Sequence, residues 1–368
     1  MKQIKNIVTV AVFIVLMFSF SAMCYFGNDR KYTESERREL AQKPEFTKNT
    51  VISGDFMTDF ELYSTDQFPL RDGFRRIKAM FSTFVLNKKD NNGLYLADGH
   101  LSKIDGEENE YMLNYSVDLF RSIYEKNIKE KNAEVYLSVV PGKNYFLASA
   151  NGYPSLSFTN VVNFMESNTG DFMKYIPIEK ELSIDDYYKT DSHWRQEKIG
   201  DVANTLAESM GVDISAEYDV KTLDYPFYGV YAGQSALPVK PDTIKYLVNH
   251  TLEKCTVSYY DSGKPTNGDM YNMEKAYSKD PYEMFLSGVA PLIVIDNPSA
   301  QTDKELVMFR DSFGSSLAPL MVEGYKKVTV VDVRYMHSAY LGSFVDFDNC
   351  DVLFIYSAEL LNNSLAMK

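Results

Sequence analysis

LVMFRDSFGSSLAPLM, residues 306–321, decides the architecture. Its first four residues form an unbroken apolar run, and the chain then turns through Arg310, Asp311, Ser312 and Phe313 into a segment of helix length. A strand that is apolar on both faces must be covered on both faces, as strands are in parallel sheets crossed by helices. Three more such runs lie nearby: LIVI (292–295), VTVVDV (328–333) and VLFIY (352–356). Helix-length segments separate the last three of the four, so the C-terminal third reads as α/β with a parallel sheet and flanking helices. Ser312 then stands at the carboxyl end of a strand, where open α/β sheets place their sites. The N–H groups that follow, at Phe313 and Gly314, open a helix and suit an oxyanion, and Gly314 lets a substrate approach the backbone. The bland alternative is that a serine at a helix start is a simple N-cap.

Upstream, YYKTDSHWRQEKIGDVANTLAESMG (187–211) supplies a partner for that serine. Ile199, Val202, Leu206 and Met210 make a helical stripe closed by Gly211, which leaves Asp191-Ser192-His193 in the loop before it. A carboxylate two residues from an imidazole accepts one ring N–H, fixes the tautomer and leaves the other nitrogen as a base. Alone, such a spacing is more often a surface pair. His100, His250 and His337 have no patterned partner and read as structural or surface residues. The 51 acidic residues offer too many pairs to select a glycosidase couple.

Further toward the N-terminus, VYLSVV (135–140) is another strand, preceded by a helix with Leu113, Val117, Phe120, Tyr124 and Ile128 on one face. NNGLYLADGHL carries a hairpin signal at Asp98-Gly99. A helix is expected from a cap at Ser53 to about Tyr63, broken by DQFPLRD around Pro69, with a second over 71–86. Residues 29–50 read as a polar tether. The charge-free run over 7–26 follows Lys2 and Lys5; about 20 residues at a ~1.5 Å rise span about one bilayer core of ~30 Å. An uncleaved anchor is favoured over a cleaved signal, with the large domain outside. The division expected is 1–28 anchor, 29–90 tether and helical segment, and 91–368 α/β domain.

A net charge of −13 repels phosphate backbones and argues against nucleic acid as a partner. The 27 Tyr residues suit half-buried core positions first, and sugar or protein surfaces second. Cys24, Cys255 and Cys350 form no metal-binding pattern, and no other metal or cofactor motif is read. Pairing of Cys255 with Cys350 is left open by the sequence.

The ordered blocks ERRELAQKPEF, FELYSTDQFPLRD, NGLYL, YYKTDSHW, YGVYAG, FRDSFGSSLAPLM and VDVRY, spread over about residues 37–357, resemble the DHHW family of Gram-positive envelope proteins. That family is similar to the SGNH hydrolase-like proteins of alginate O-acetylation. The resemblance implies an SGNH-hydrolase-like parallel sheet and a triad in the order Asp, His, Ser, a permutation of the ordinary SGNH arrangement. Carried over, Ser312 is the nucleophile, His193 the general base and Asp191 its orienter. Where the family has Asp-His-His-Trp, this chain has Asp191-Ser192-His193-Trp194, so the base is kept and the first histidine is not. Arg334 and Tyr335 in VDVRY would lie near the site, with a structural ion pair an equal reading of Arg334.

The function implied is a cell-envelope acyl hydrolase or O-acetyltransferase acting on a surface polysaccharide through an acyl-serine, with no metal or cofactor. A transferase would draw on a membrane-bound acyl-donor protein. The rival reading is a non-catalytic envelope protein that uses the same scaffold to bind or assemble polysaccharide.

Overall fold

The structure, a computed structural model, describes residues 2–214, 217–261 and 263–368. The chain divides into two units, one up to Asn92 together with Ala232–Val239 and one of Gly93–Tyr231 with Lys240–Lys368. In the smaller unit, α1 (Lys2–Phe26) is exposed over most of its length and is long and apolar enough to cross a membrane or serve as a signal anchor. Then come α2 (Lys48–Ser53), α3 (Asp55–Asp66) and α4 (Arg71–Met80), the last running into a π-helical turn, Phe81–Val85. The helix expected to start at Ser53 starts later: Ser53 closes α2, and Gly54 at φ +88° breaks the path before α3.

A polar knot ties segments of the smaller unit together, beside a packed set of rings, Phe20, Phe68 and Phe74. Asp66, 6% exposed, accepts a fork from Arg38 at 2.6 and 2.8 Å and the Ala41 N–H at 2.9 Å. Glu36 pairs with Arg75 at 3.2 Å, and Arg75 also donates to the Gly233 carbonyl at 3.0 Å. The Arg38 fork, with help from the Ala41 N–H, overrides burial and holds the Asp66 carboxyl at about 2.

The larger unit opens with the hairpin β1 (Leu94–Ala97) and β2 (His100–Lys103), joined as expected through Asp98 and Gly99, both at positive φ. There follow α5 (Glu110–Ile123), β3 (Ala133–Val140), α6 (Lys143–Asn151), α7 (Phe158–Thr169), β4 (Lys174–Tyr175) and α8 (Gly200–Ser209). An antiparallel ribbon, β5 (Asp219–Phe227) with β6 (Asp242–Val248), precedes β7 (Thr256–Tyr259), β8 (Thr266–Gly268), β9 (Leu292–Asp296) and β10 (Glu305–Arg310). The chain ends with α9 (Gly314–Met321), β11 (Lys327–Val331) and β12 (Cys350–Ser357) before two short turns.

Eight strands form the central sheet, in the order β8-β7-β9-β11-β10-β12-β3-β4. The block β11-β10-β12-β3-β4 is parallel throughout. LIVI departs from the expectation: as β9 it runs antiparallel to both β7 and β11. An apolar run reports burial, and burial is blind to strand direction.

Alternation along the strands builds two cores. Val307, Phe309, Val352, Phe354, Leu137 and Val139 face α5 and α7 through Phe120, Val161 and Met165. Leu306, Met308, Leu353, Ile355, Val328 and Val330 face α8 and α9 through Val202, Leu206, Leu317 and Leu320. Truncating one such residue to Ala costs about 2–5 kcal/mol. The end of β10 is therefore fixed from both sides, and with it the turn that carries Ser312. Cys255 and Cys350 are free thiols.

Candidate active site

The turn after β10 is built by Asp311. One carboxylate oxygen accepts the Phe313 N–H at 3.0 Å, and the other accepts the Ser357 N–H at the end of β12 at 2.8 Å. Gly314 then opens α9 hard against Arg310: a Cβ there would fall 2.5 Å from the Arg310 Cβ. Only glycine lets the helix start this close to the strand. Ser312 is left half-buried at the tip.

The second part comes from the loop over 187–194, pinned by a bridge between Tyr187 and Trp194 and by the Tyr188 N–H on the His193 carbonyl at 3.1 Å. Trp194, fully buried, donates its indole N–H to the Phe313 carbonyl at 3.1 Å and to Ser316 Oγ at 2.9 Å. Gln196 adds a bond to the Ser316 carbonyl at 2.9 Å. Trp194 and Gln196 thus tie the His193 loop to the first turn of α9.

Between them lies a continuous chain of hydrogen bonds. His193 Nε2 is 2.7 Å from Ser312 Oγ, and Nδ1 is 2.6 Å from Asp191 Oδ1. A carboxylate only accepts, so Nδ1 carries the proton and Nε2 accepts from the serine hydroxyl. Asp191 is wholly buried, and its other oxygen accepts the Val230 N–H at 2.7 Å. At these distances Asp191 can hold the imidazole ring and His193 Nε2 can take the proton of the Ser312 hydroxyl.

Two residues that the sequence reading passes over complete the surroundings. Tyr282 lies flat on the His193 ring, with centroids 4.0 Å apart and 9° between planes, and its hydroxyl meets Ser316 Oγ at 2.9 Å. Burial pushes its phenol well above the ordinary tyrosine range, so it stays protonated. Gly229 packs under Asp191; a Cβ there would fall 2.5 Å from the Asp191 Cα and 2.5 Å from the Thr190 carbonyl oxygen. It sits in the YGVYAG block, but nothing within that block says what it touches.

The remaining site residues named from sequence are placed as follows. The Phe313 N–H holds the Asp311 carboxylate, and the Gly314 N–H holds the Asp311 carbonyl at 3.1 Å. Arg334 grips Asp332 with two bonds, at 2.9 and 2.6 Å, and Asp332 also receives the buried Arg310 at 3.3 Å. Burial lowers the Arg310 guanidinium against the pull of Asp332. At Arg334 burial works the same way, but the two bonds to Asp332 outweigh it and the net shift is upward. Tyr335 is half-exposed beside Arg334. Among the described residues, no group of three or more His, Cys, Asp or Glu is gathered to hold a metal. A cavity of about 480 Å³, lined by Val212, Asn297, Ser299, Thr302 and Lys304 among others, includes none of Asp191, His193 and Ser312.

No family model matches the chain, and no curated protein matches it. Solved structures do. PatB1 of Bacillus cereus, determined with a sulfonyl adduct, superposes with a TM-score of 0.59 at 18% identity, over 73% of this chain and 97% of that one. A DHHW family protein from Eubacterium siraeum superposes with a TM-score of 0.59 at 19% identity, over 75% of this chain and 94% of that one. The chain therefore has the fold of PatB1 and of that DHHW family protein, the fold its sequence blocks resemble.

Proposed function

We propose that this chain is a cell-envelope acyl-transfer enzyme, with Ser312 as nucleophile, His193 as general base and acid, and Asp191 as orienter. The observation that carries the reading is the unbroken Asp191–His193–Ser312 chain, with links of 2.6 and 2.7 Å. Ser312 Oγ attacks an ester carbonyl carbon while its proton passes to His193 Nε2. Collapse of the tetrahedral intermediate breaks the bond to the leaving alcohol, which takes the proton back, and leaves an acyl-Ser312. Water or a sugar hydroxyl then gives its proton to His193 and attacks the acyl carbon. The products are a free acid, or an acylated sugar, and the regenerated serine. The backbone of the Ser312–Gly314 turn is the proposed source of the oxyanion donors.

The acceptor we propose is a surface polysaccharide, with acetyl groups drawn from a membrane-bound donor protein in the transferase case. Residues 1–28 anchor the chain in a single pass, 29–90 tether it, and 91–368 carry the chemistry outside the cell. The adduct on PatB1 suggests the probe. Full-length protein in detergent is incubated with an aryl acetate, and separately with an aryl sulfonyl fluoride. Acetate release and a single sulfonyl group on Ser312, both lost in Ser312→Ala, are expected. Equal rates in wild type and variant would remove the catalytic claim for this serine.

A further inference from the structure

Lys143, the first residue of α6, is 3% exposed and turned inward. Its ammonium donates to three backbone carbonyls, those of Tyr188 at 2.7 Å, Asp191 at 3.0 Å and Lys189 at 3.1 Å. Three acceptors use all three donors of an ammonium. The Tyr231 ring covers it at 5.5 Å. All three carbonyls belong to the turn that carries Asp191 and His193. We propose that Lys143 is a positioning residue: by gathering the carbonyls of Tyr188, Lys189 and Asp191 around one charge, it fixes the turn from which Asp191 aims His193, and loss of its proton loosens that turn. The inference rests on the acyl-transfer reading of Ser312.

A neutral amine offers two N–H bonds to three carbonyls, so one carbonyl is abandoned. Burial lowers Lys143 to about 7, against the opposing pull of the Asp191 and Asp242 carboxylates. The other charged or titratable neighbours are Lys189, the Tyr231 phenol and His100, which burial and then Lys143 push down to about 4. Glu359, against the backbone of Gly142, is pushed up to about 8 by burial and Asp105, and so titrates in the same range. Lys143 is depressed in the fold, so between about pH 7 and 10.5 the unfolded chain holds more protons, and this group makes the fold firmer as pH rises. Activity falling over that range, while this group adds stability, is not what a purely structural lysine produces.

The test measures kcat and KM for an aryl acetate, and the rate of sulfonylation, from pH 6 to 9.5 on full-length protein in detergent. The wild-type kcat is expected to fall several-fold above pH about 7, with KM changed by less than about twofold. Lys143→Arg, which keeps its charge throughout, is expected to remove that fall. Lys143→Met is expected to be slower by ~10-fold or more at pH 6, through misplacement of the base. A wild-type profile flat to pH 9.5 would overturn the inference, and needs no variant to fold. So would a Lys143→Met enzyme equal to wild type, or a fall that persists in Lys143→Arg, which would point to Glu359. A wild type that neither turns over nor is sulfonylated sinks the acyl-transfer reading itself.

Discussion

Two polar networks in this molecule are built from the same materials to opposite ends. In the smaller unit, Asp66 is surrounded: a guanidinium fork and a backbone N–H satisfy it, and the carboxyl is held at about 2. In the larger unit, Asp191 is just as buried, but one of its oxygens is spent on an imidazole that passes the polarity on to a half-buried hydroxyl. The first network closes on itself and stabilises. The second ends on the half-buried Ser312 hydroxyl, and that end is where the proposed chemistry is placed.

The contrast can be broken at several points. Ser312→Ala should abolish acyl transfer, a loss of about 1,000-fold or more in kcat for an aryl acetate, with the melting temperature nearly unmoved. Intact turnover would show that the Ser312 end is not the reacting one. Next, Gly229→Ala drives a methyl toward the Asp191 backbone. Displacing Asp191 should cost ~100-fold in kcat, together with a lower melting temperature, and Gly229→Ser should behave no better. Tyr282→Leu removes the ring stacked on His193 and should lower kcat by about tenfold while leaving KM within about twofold.

The closed network should answer in stability rather than rate. Asp66→Asn should destabilise by about 1–3 kcal/mol in denaturant melts, with kcat within about twofold of wild type. Because the Asp66 carboxyl is held at about 2, below its ordinary 3.8, its contribution is present above pH about 4 and is lost as pH falls toward 2. Wild type and Asp66→Asn should therefore converge in stability across that window, and parallel curves would refute the assignment. The smallest effect is expected at Ser192, whose hydroxyl reaches Asp191 Oδ1 only at 3.5 Å. Ser192→Ala should stay within about twofold in kcat, since a contact that long contributes little.

What was legible in the sequence follows from the range of the forces involved. The apolar runs at 306–309, 328–333 and 352–356 announce strands because burial on both faces demands it locally, and their parallel block is found. The antiparallel β9 is invisible on the same grounds, since LIVI reads alike in either direction. The hairpin at Asp98-Gly99 is local turn chemistry and is found in place. The helix break at Gly54 is local too, but Ser53 reads as a cap and draws attention from the glycine beside it. Asp191, His193 and Ser312 are recognisable as residue types in suggestive local settings, and the fold brings them together across 119 residues. Tyr282, Gly229 and Lys143 carry no such mark. Each acts by touching a distant segment, and nothing in DPYEMF, YGVYAG or PGKNYF says which one.

The bare backbone at Gly314 has a consequence for how this fold can diversify. With Arg310 filling the space a side chain would need, and Asp332 holding Arg310 from the other side, the serine turn is wedged between helix and strand. Flexing it would uncover a buried cation. Substitution at this turn is therefore narrowly limited: any side chain at position 314 must displace Arg310, and with it the buried pair to Asp332.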